Sequence, residues 1–215
     1  MPEIEYVEDR MESEELLERL CPPVRNWFKD KFPDFTEPQK VAIPRILNGE
    51  HLLLCSPTGS GKTLTAFLTI IDDLVRRSLD GSLPDAVQCV YISPIKALAN
   101  DIEKNLMGPL GEIKERYLPS RAKEIKVGLR TGDTPQSERE KMLRKPPHIL
   151  ITTPESLGLG LASKRFRPIL DQMKWFIIDE MHSLVPTKRG THLSLSMALM
   201  DSVVSSDVQR IGISA

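Results

Sequence analysis

Cysteine, aromatic side chains, net charge and long apolar runs are all scarce in this 215-residue chain, and each shortage removes a class of explanation. The three cysteines, Cys21, Cys55 and Cys89, are scattered, odd in number and never spaced as CxxC. Neither a disulfide framework nor a cysteine-held zinc site is therefore expected, and a reducing compartment is the default. No run approaches the roughly 20 apolar residues that cross a bilayer. The amino terminus, MPEIEYVEDRMESEE, is acidic where a signal peptide would be basic and then apolar, so the expected location is the cytoplasm. Lys and Arg number 29 against 30 Asp and Glu; the composition does not advertise a polyanion binder, although net charge averages over surfaces and leaves room for a local basic channel. Aromatics make up only 5% of residues, too few for a platform on which successive bases stack. What is present is an ordinary globular balance, 40% apolar and 27% charged, in a chain long enough for one large domain or two small ones.

Residues 1–34 read as an N-terminal helical segment. Ser13 to Leu20 and Val24 to Phe32 are two short helix candidates divided by Pro22-Pro23, the second closed by Pro33. A third starts at Thr36-Glu37-Pro38-Gln39, with Thr36 as cap and Gln39 three residues on, and stops at Asn48-Gly49; Pro44 should kink it. From residue 51 strand-like and helix-like blocks alternate. The strands are expected at His51 to Cys55, Val87 to Ser93, Ile125 to Arg130, His148 to Thr152, Lys174 to Asp179 and Gln209 to Ser214. Helices are expected near Lys62 to Arg77, Asp101 to Tyr117, Gln136 to Leu143, Pro154 to Ser163 and Thr191 to Val204. Several strands are apolar almost throughout, as in Trp175-Phe176-Ile177-Ile178, which fits an α/β fold with a mostly parallel central sheet and helices on both faces.

The most specific motif is Ser56-Pro57-Thr58-Gly59-Ser60-Gly61-Lys62-Thr63, between an apolar strand and an amphipathic helix. Gly59 and Gly61 permit a tight turn whose amides point inward, and the helix amino terminus adds positive potential. Lys62 would reach the terminal phosphates of ATP, and Thr63 would hold Mg²⁺. Ser56 stands where the strict GxxxxGK[ST] pattern has its first glycine. Such a loop needs a carboxylate partner at a neighbouring strand end, and Asp179-Glu180-Met181-His182 follows the run Trp175 to Ile178. Asp179 would accept hydrogen bonds from Mg²⁺-bound water, and Glu180 would orient and deprotonate the water attacking the γ-phosphoryl. No HExxH pattern makes His182 a zinc ligand. Gln39 could read the adenine edge or simply close the helix cap, and the residues around it are compatible with either.

Three further strand ends combine a hydroxyl, a Gly or Pro and a new helix: Ser93 to Leu98 with Lys96, Arg130-Thr131-Gly132-Asp133, and Thr152-Thr153-Pro154-Glu155-Ser156. Each alone is explained as a helix cap. Three on one edge of a parallel sheet make a track for backbone phosphates. Lys188-Arg189-Gly190 could grip a strand, signal between the nucleotide and that strand, or be solvated surface.

These motifs resemble those of superfamily 2 DExH helicases, specifically the first RecA-like domain of the large helicase-related (Lhr) family. The resemblance spans about residues 13 to 215 and rests on FTEPQ (35–39), SPTGSGKT (56–63), SPIKAL (93–98), RTGDTPQSER (130–139), ITTPESL (151–157), DEMH (179–182), KRGTHLSLS (188–196) and RIGISA (210–215). It implies a RecA-like P-loop NTPase domain over 35–215, truncated at its carboxyl end, in which Lys62, Thr63, Asp179 and Glu180 serve ATP hydrolysis and Gln39 contacts adenine. Lys96, Arg130, Thr131, Gly132, Thr153, Pro154 and Arg189 would lie along single-stranded nucleic acid, and His182 and Ser214 would couple the two sites. Met181 replaces the family's more usual Ile or Val. The whole protein would be an archaeal or bacterial 3′-to-5′ translocase on DNA, with a repair role and a second RecA-like domain in the same chain. An RNA-acting helicase and a non-catalytic nucleotide- or strand-binding module are the alternatives. A P-loop metabolic kinase is disfavoured because DExH and the strand-end motifs would then lack a purpose.

Overall fold

A computed structural model describes residues 5–93, 102–205 and 207–215. Six strands form one sheet: β1 (Leu52–Cys55), β2 (Cys89–Ile92), β3 (Val127–Arg130), β4 (Ile149–Thr152), β5 (Trp175–Ile178) and β6 (Gln209–Ser214). Their order is β1-β6-β5-β2-β4-β3, and every pairing is parallel. All six lie inside the spans expected from sequence.

The apolar runs are explained by burial on both faces. Cys89, Tyr91, Ile149, Ile151, Trp175, Ile177, Ile211 and Ile213 face one core, and Val90, Ile92, Leu150, Phe176 and Ile178 face the other. The first core is covered by α1 (Ser13–Arg19), α2 (Pro22–Lys31), α3 (Glu37–Leu47), α4 (Lys62–Asp80) and α5 (Gly108–Tyr117). The second is covered by α7 (Pro154–Leu161), a 3₁₀ turn (Arg167–Leu170), α8 (Met181–Leu184) and α9 (Lys188–Asp201). Between these groups α6 (Gln136–Arg144) follows β3, with no fully buried residue. Each fully buried Leu, Ile or Phe contributes about 1.5–3 kcal/mol.

The N-terminal helices share this core. Leu16, Val24, Trp27 and Phe28 pack in the same cluster as Phe67, Ile70 and Leu74 of α4. The amino end of α2 is satisfied by α4, because the Cys21 amide donates to Asp72 Oδ1 at 2.6 Å while Arg76 Nε donates to Oδ2 at 2.7 Å. Burial beside Asp72 raises the Cys21 thiol to about 12.

Differences from the sequence expectations have local causes. Helix α3 continues through Pro44 to Leu47. Proline cannot donate to the carbonyl four residues back, and that acceptor, Lys40 O, takes the Met11 amide at 3.1 Å instead. Helix α9 begins at Lys188 rather than Thr191, since the Thr187 side chain accepts from Gly190 N. The described part of the helix expected at Asp101 to Tyr117 opens with a π-type turn, Glu103–Met107, before α5.

Candidate nucleotide site and strand track

A parallel sheet delivers every strand's carboxyl end to one edge. In the order β1-β6-β5, the phosphate loop after β1 and the DExH turn after β5 flank the end of β6. Cys55 pairs with Ser214, and Ile178 with Gly212.

Gly59 and Gly61 hold φ of 81° and 85°, the left-handed region that permits the loop's turn. Lys62 is buried, and its ammonium donates to the carbonyls of Ser56 and Pro57, the latter at 2.7 Å. Ser56, in place of the first motif glycine, ties the loop together: its Oγ donates to Ser60 Oγ at 2.8 Å and its amide to Ser214 O at 3.3 Å. Thr58 lies in the exposed arc of the loop, and Thr63 is partly exposed in the first turn of α4. Gln39 is buried, with Oε1 accepting from Thr36 N at 2.9 Å, and Thr36 Oγ1 reaches across to Ser60 O at 2.9 Å. Capping and contact with the phosphate loop are thus both made by this turn, and Nε2 of Gln39 faces Gly61.

Asp179 is buried and oriented by its neighbours. Tyr91 of β2 donates its hydroxyl to Oδ2, and the Glu180 amide donates to Oδ1 at 2.9 Å. Glu180 has φ 51°, the sole positive φ of any non-glycine among the described residues. His182 joins it to the end of β6. The Ala215 amide donates to His182 Nδ1 at 3.3 Å, with Ser214 Oγ 3.2 Å from the same nitrogen, while Nε2 lies 3.0 Å from Glu180 Oε2. Since Nδ1 accepts, Nε2 carries the proton and donates to the carboxylate. Met181 packs across Gly212, where an added Cβ would meet its sulfur at 2.3 Å. The sequence reading did not single out Tyr91; a phenol within the apolar strand Cys89–Ile92 was the available signal.

The expected strand-contacting residues are placed unevenly. Lys96 and the rest of 94–101 lie outside the described residues. Arg130 stacks its guanidinium 4.3 Å from the Phe166 ring centre and is half-buried. That burial, and then Arg139 nearby, lower its pKa. The Thr131–Thr134 turn is held by Arg139, a residue not singled out from sequence: Nε donates to Thr134 O at 2.8 Å, and Nη2 to Thr131 O at 3.1 Å and Gly132 O at 2.8 Å. Thr153 caps α7 by accepting from Ser156 N, and Pro154 occupies its first turn. Arg189 is paired with Glu155, from Nε to Oε1 at 2.6 Å and Nη2 to Oε2 at 3.3 Å. Mg²⁺ takes few protein ligands when phosphates supply others, and Thr63 with Asp179 supplies a hydroxyl and a carboxylate of the right hardness; no cluster of three or more His, Cys, Asp or Glu able to hold a metal occurs among the described residues.

The chain matches the DEAD/DEAH box helicase family model over residues 36–215. It is 53% identical to the ATP-dependent helicase Lhr-Core of Methanothermobacter thermautotrophicus, over 91% of this chain and 23% of that one. It is 46% identical to the Lhr-Core of Methanocaldococcus jannaschii, over 100% of this chain and 25% of the relative. The chain therefore spans about a quarter of the length of these relatives. Among solved structures, helicase Lhr of Mycobacterium smegmatis bound to ssDNA and AMP-PNP superposes with a TM-score of 0.82 at 44% identity, covering 93% of this chain and 25% of that one. A DEAD-box helicase bound to ssRNA and UDP-BeF superposes at 0.76 with 21% identity, covering 98% and 42%, which is a likeness of fold alone. With a RecA-like parallel sheet and the phosphate loop and DExH turn on one edge, the chain belongs to the DEAD/DEAH box helicase family, where its sequence aligns with the Lhr-type helicases.

Proposed function

We propose that this chain is the ATP-binding motor domain of a helicase that translocates 3′-to-5′ along single-stranded DNA, working with a second RecA-like domain of a longer chain and serving DNA repair in the cytoplasm of an archaeon or bacterium. The observation that carries the reading is the placement of Lys62 after β1 and of Asp179, Glu180 and His182 after β5, the two strands that flank β6, with His182 bridging Glu180 to β6. The relative bound to ssDNA and AMP-PNP supports ATP and DNA as ligands. The repair role and the direction of travel rest on the resemblance to the Lhr family.

In this reading Lys62 leaves the carbonyls of Ser56 and Pro57 for the β- and γ-phosphates. Thr63 and Asp179 would hold Mg²⁺, which neutralises phosphate charge when bound. Glu180, aimed by its contact with His182 Nε2, accepts the proton of the attacking water. Gln39 would read adenine with Nε2. Lys96, the Thr131–Gly132 turn and the Thr153–Pro154 helix start would hold backbone phosphates. A boundary near residue 34 is supported by the family match beginning at residue 36, although α1 and α2 share the core.

ATP turnover by the chain, with matched single-stranded DNA and RNA as activators, tests the proposal. Turnover should be low without a second domain's arginine, which is worth about 10³ to 10⁵ in such enzymes. It should be abolished by Lys62→Ala and stimulated more by DNA. Stronger stimulation by RNA would favour the RNA-acting alternative, and robust unwinding by the chain alone would refute the assignment to half a motor.

A further inference from the structure

The two arginines assigned to the strand track are in opposite electrostatic situations. Arg130 pairs with no carboxylate among the described residues and spends its guanidinium face on Phe166. Arg189 is neutralised by the two-oxygen edge of Glu155. We infer that Glu155 is an affinity-setting residue of the strand track: its carboxylate occupies Arg189 in the manner of a strand phosphate, and a phosphodiester must exchange with it for Arg189 to engage. The inference rests on the reading of Thr131–Gly132 and Thr153–Pro154 as a strand track.

Carboxylate and phosphate present the same paired oxygens to a guanidinium fork, so the two ligands are interchangeable at Arg189. The side chains are 37% and 49% exposed, within reach of a ligand. An exposed pair of this kind changes an equilibrium by a factor of about 2 to 5, a barrier that a polyanion can overcome. Glu155 stays ionised at neutral pH, because Arg189 holds its carboxyl below the usual range. The helices on either side pack closely. A Cβ on Gly158 of α7 would meet His192 of α9 at 2.3 Å, and one on Gly190 would meet Leu184 O at 2.4 Å. Exchange needs only a swing of the partly exposed Arg189 side chain.

The test is a double-mutant cycle read by anisotropy of a fluorescent oligothymidylate titrated with this chain at several NaCl concentrations. Glu155→Gln should tighten binding about 2- to 5-fold at low salt and steepen the dependence of log affinity on log salt by about 0.7, one more single-strand phosphate. Arg189→Gln should abolish the whole gain in the Glu155→Gln background. Glu155→Ala, with an unchanged melting temperature, repeats the comparison should the glutamine variant fold poorly. Glu124→Gln, which removes a carboxylate paired with Lys114 ahead of β3, measures the effect of net charge alone. Equal gains from Glu124→Gln and Glu155→Gln, or additive effects of the two mutations in the cycle, would overturn the inference about Glu155. If Arg130→Gln still weakens binding in that case, the strand reading stands without it. If no variant binds the strand, both fall.

Discussion

A Cβ built on Gly61 would lie 2.9 Å from Nε2 of Gln39. A side chain at that position would have to displace the end of Gln39, and Gly61 also holds φ at 85°. Gly61→Ala therefore combines left-handed backbone strain of about 1–2 kcal/mol with displacement of Gln39. A fluorescent ATP analogue should bind the variant about 5- to 30-fold more weakly, as 1.4 kcal/mol is a factor of ten. Binding equal to that of the wild type would show that the loop tolerates a shifted Gln39.

Tyr91→Phe keeps the ring packed on Phe67, whose centre lies 4.8 Å away, but removes the hydroxyl that donates to Asp179. Loss of one donor to a buried carboxylate costs about 1–3 kcal/mol, or a melting point lower by several degrees in a chain of this size. Nucleotide affinity should become less sensitive to Mg²⁺, measured by titration with and without the ion. A variant unchanged in both respects would remove Tyr91 from the site.

His148 is fully buried, accepts the Lys126 amide at Nδ1, and is flanked by Lys123, Lys126 and Asp85. Burial first, and then the two lysines, lower its pKa from 6.5 to about 4. The unfolded chain therefore takes up this proton before the folded one does. The stability that neutral His148 contributes is complete above pH 6.5 and is lost as pH falls toward 4, by up to about 3 kcal/mol. Urea unfolding across that window should show a shallower fall for His148→Gln than for the wild type.

Arg139→Gln should loosen the turn that its guanidinium now holds through three carbonyls. Amide hydrogen exchange within Thr131 to Thr134 should speed up while exchange in β4 is unchanged. Single-strand affinity should fall with it. Faster exchange throughout the sheet would instead mark Arg139 as a contributor to global stability.

The fold was legible wherever a single physical demand dominated a segment. Strands buried on both faces had to be apolar throughout, and all six were found. The phosphate-loop and DExH motifs stood out because the chemistry proposed for them needs fixed residue types at fixed spacing. Tyr91, Arg139 and Glu155 escaped for the opposite reason. Each works through a partner distant in sequence, Tyr91 on Asp179 and Glu155 on Arg189, or through carbonyls that every residue possesses, as with Arg139. Gln39 stayed open between capping and adenine contact: its oxygen closes the cap, and its nitrogen faces Gly61 of the phosphate loop.

With Glu180 as the proposed base, its left-handed backbone sets stability against turnover at a single residue. A non-glycine there gives up about 1–2 kcal/mol, and the chain carries that cost at the residue proposed as its base. Selection for thermal robustness alone would install glycine at 180, yielding a sturdier protein unable to accept the proton. A library of this chain sorted only for heat resistance should therefore drift toward inactivity from this turn first, and a longer version sorted for ATP turnover should restore the glutamate.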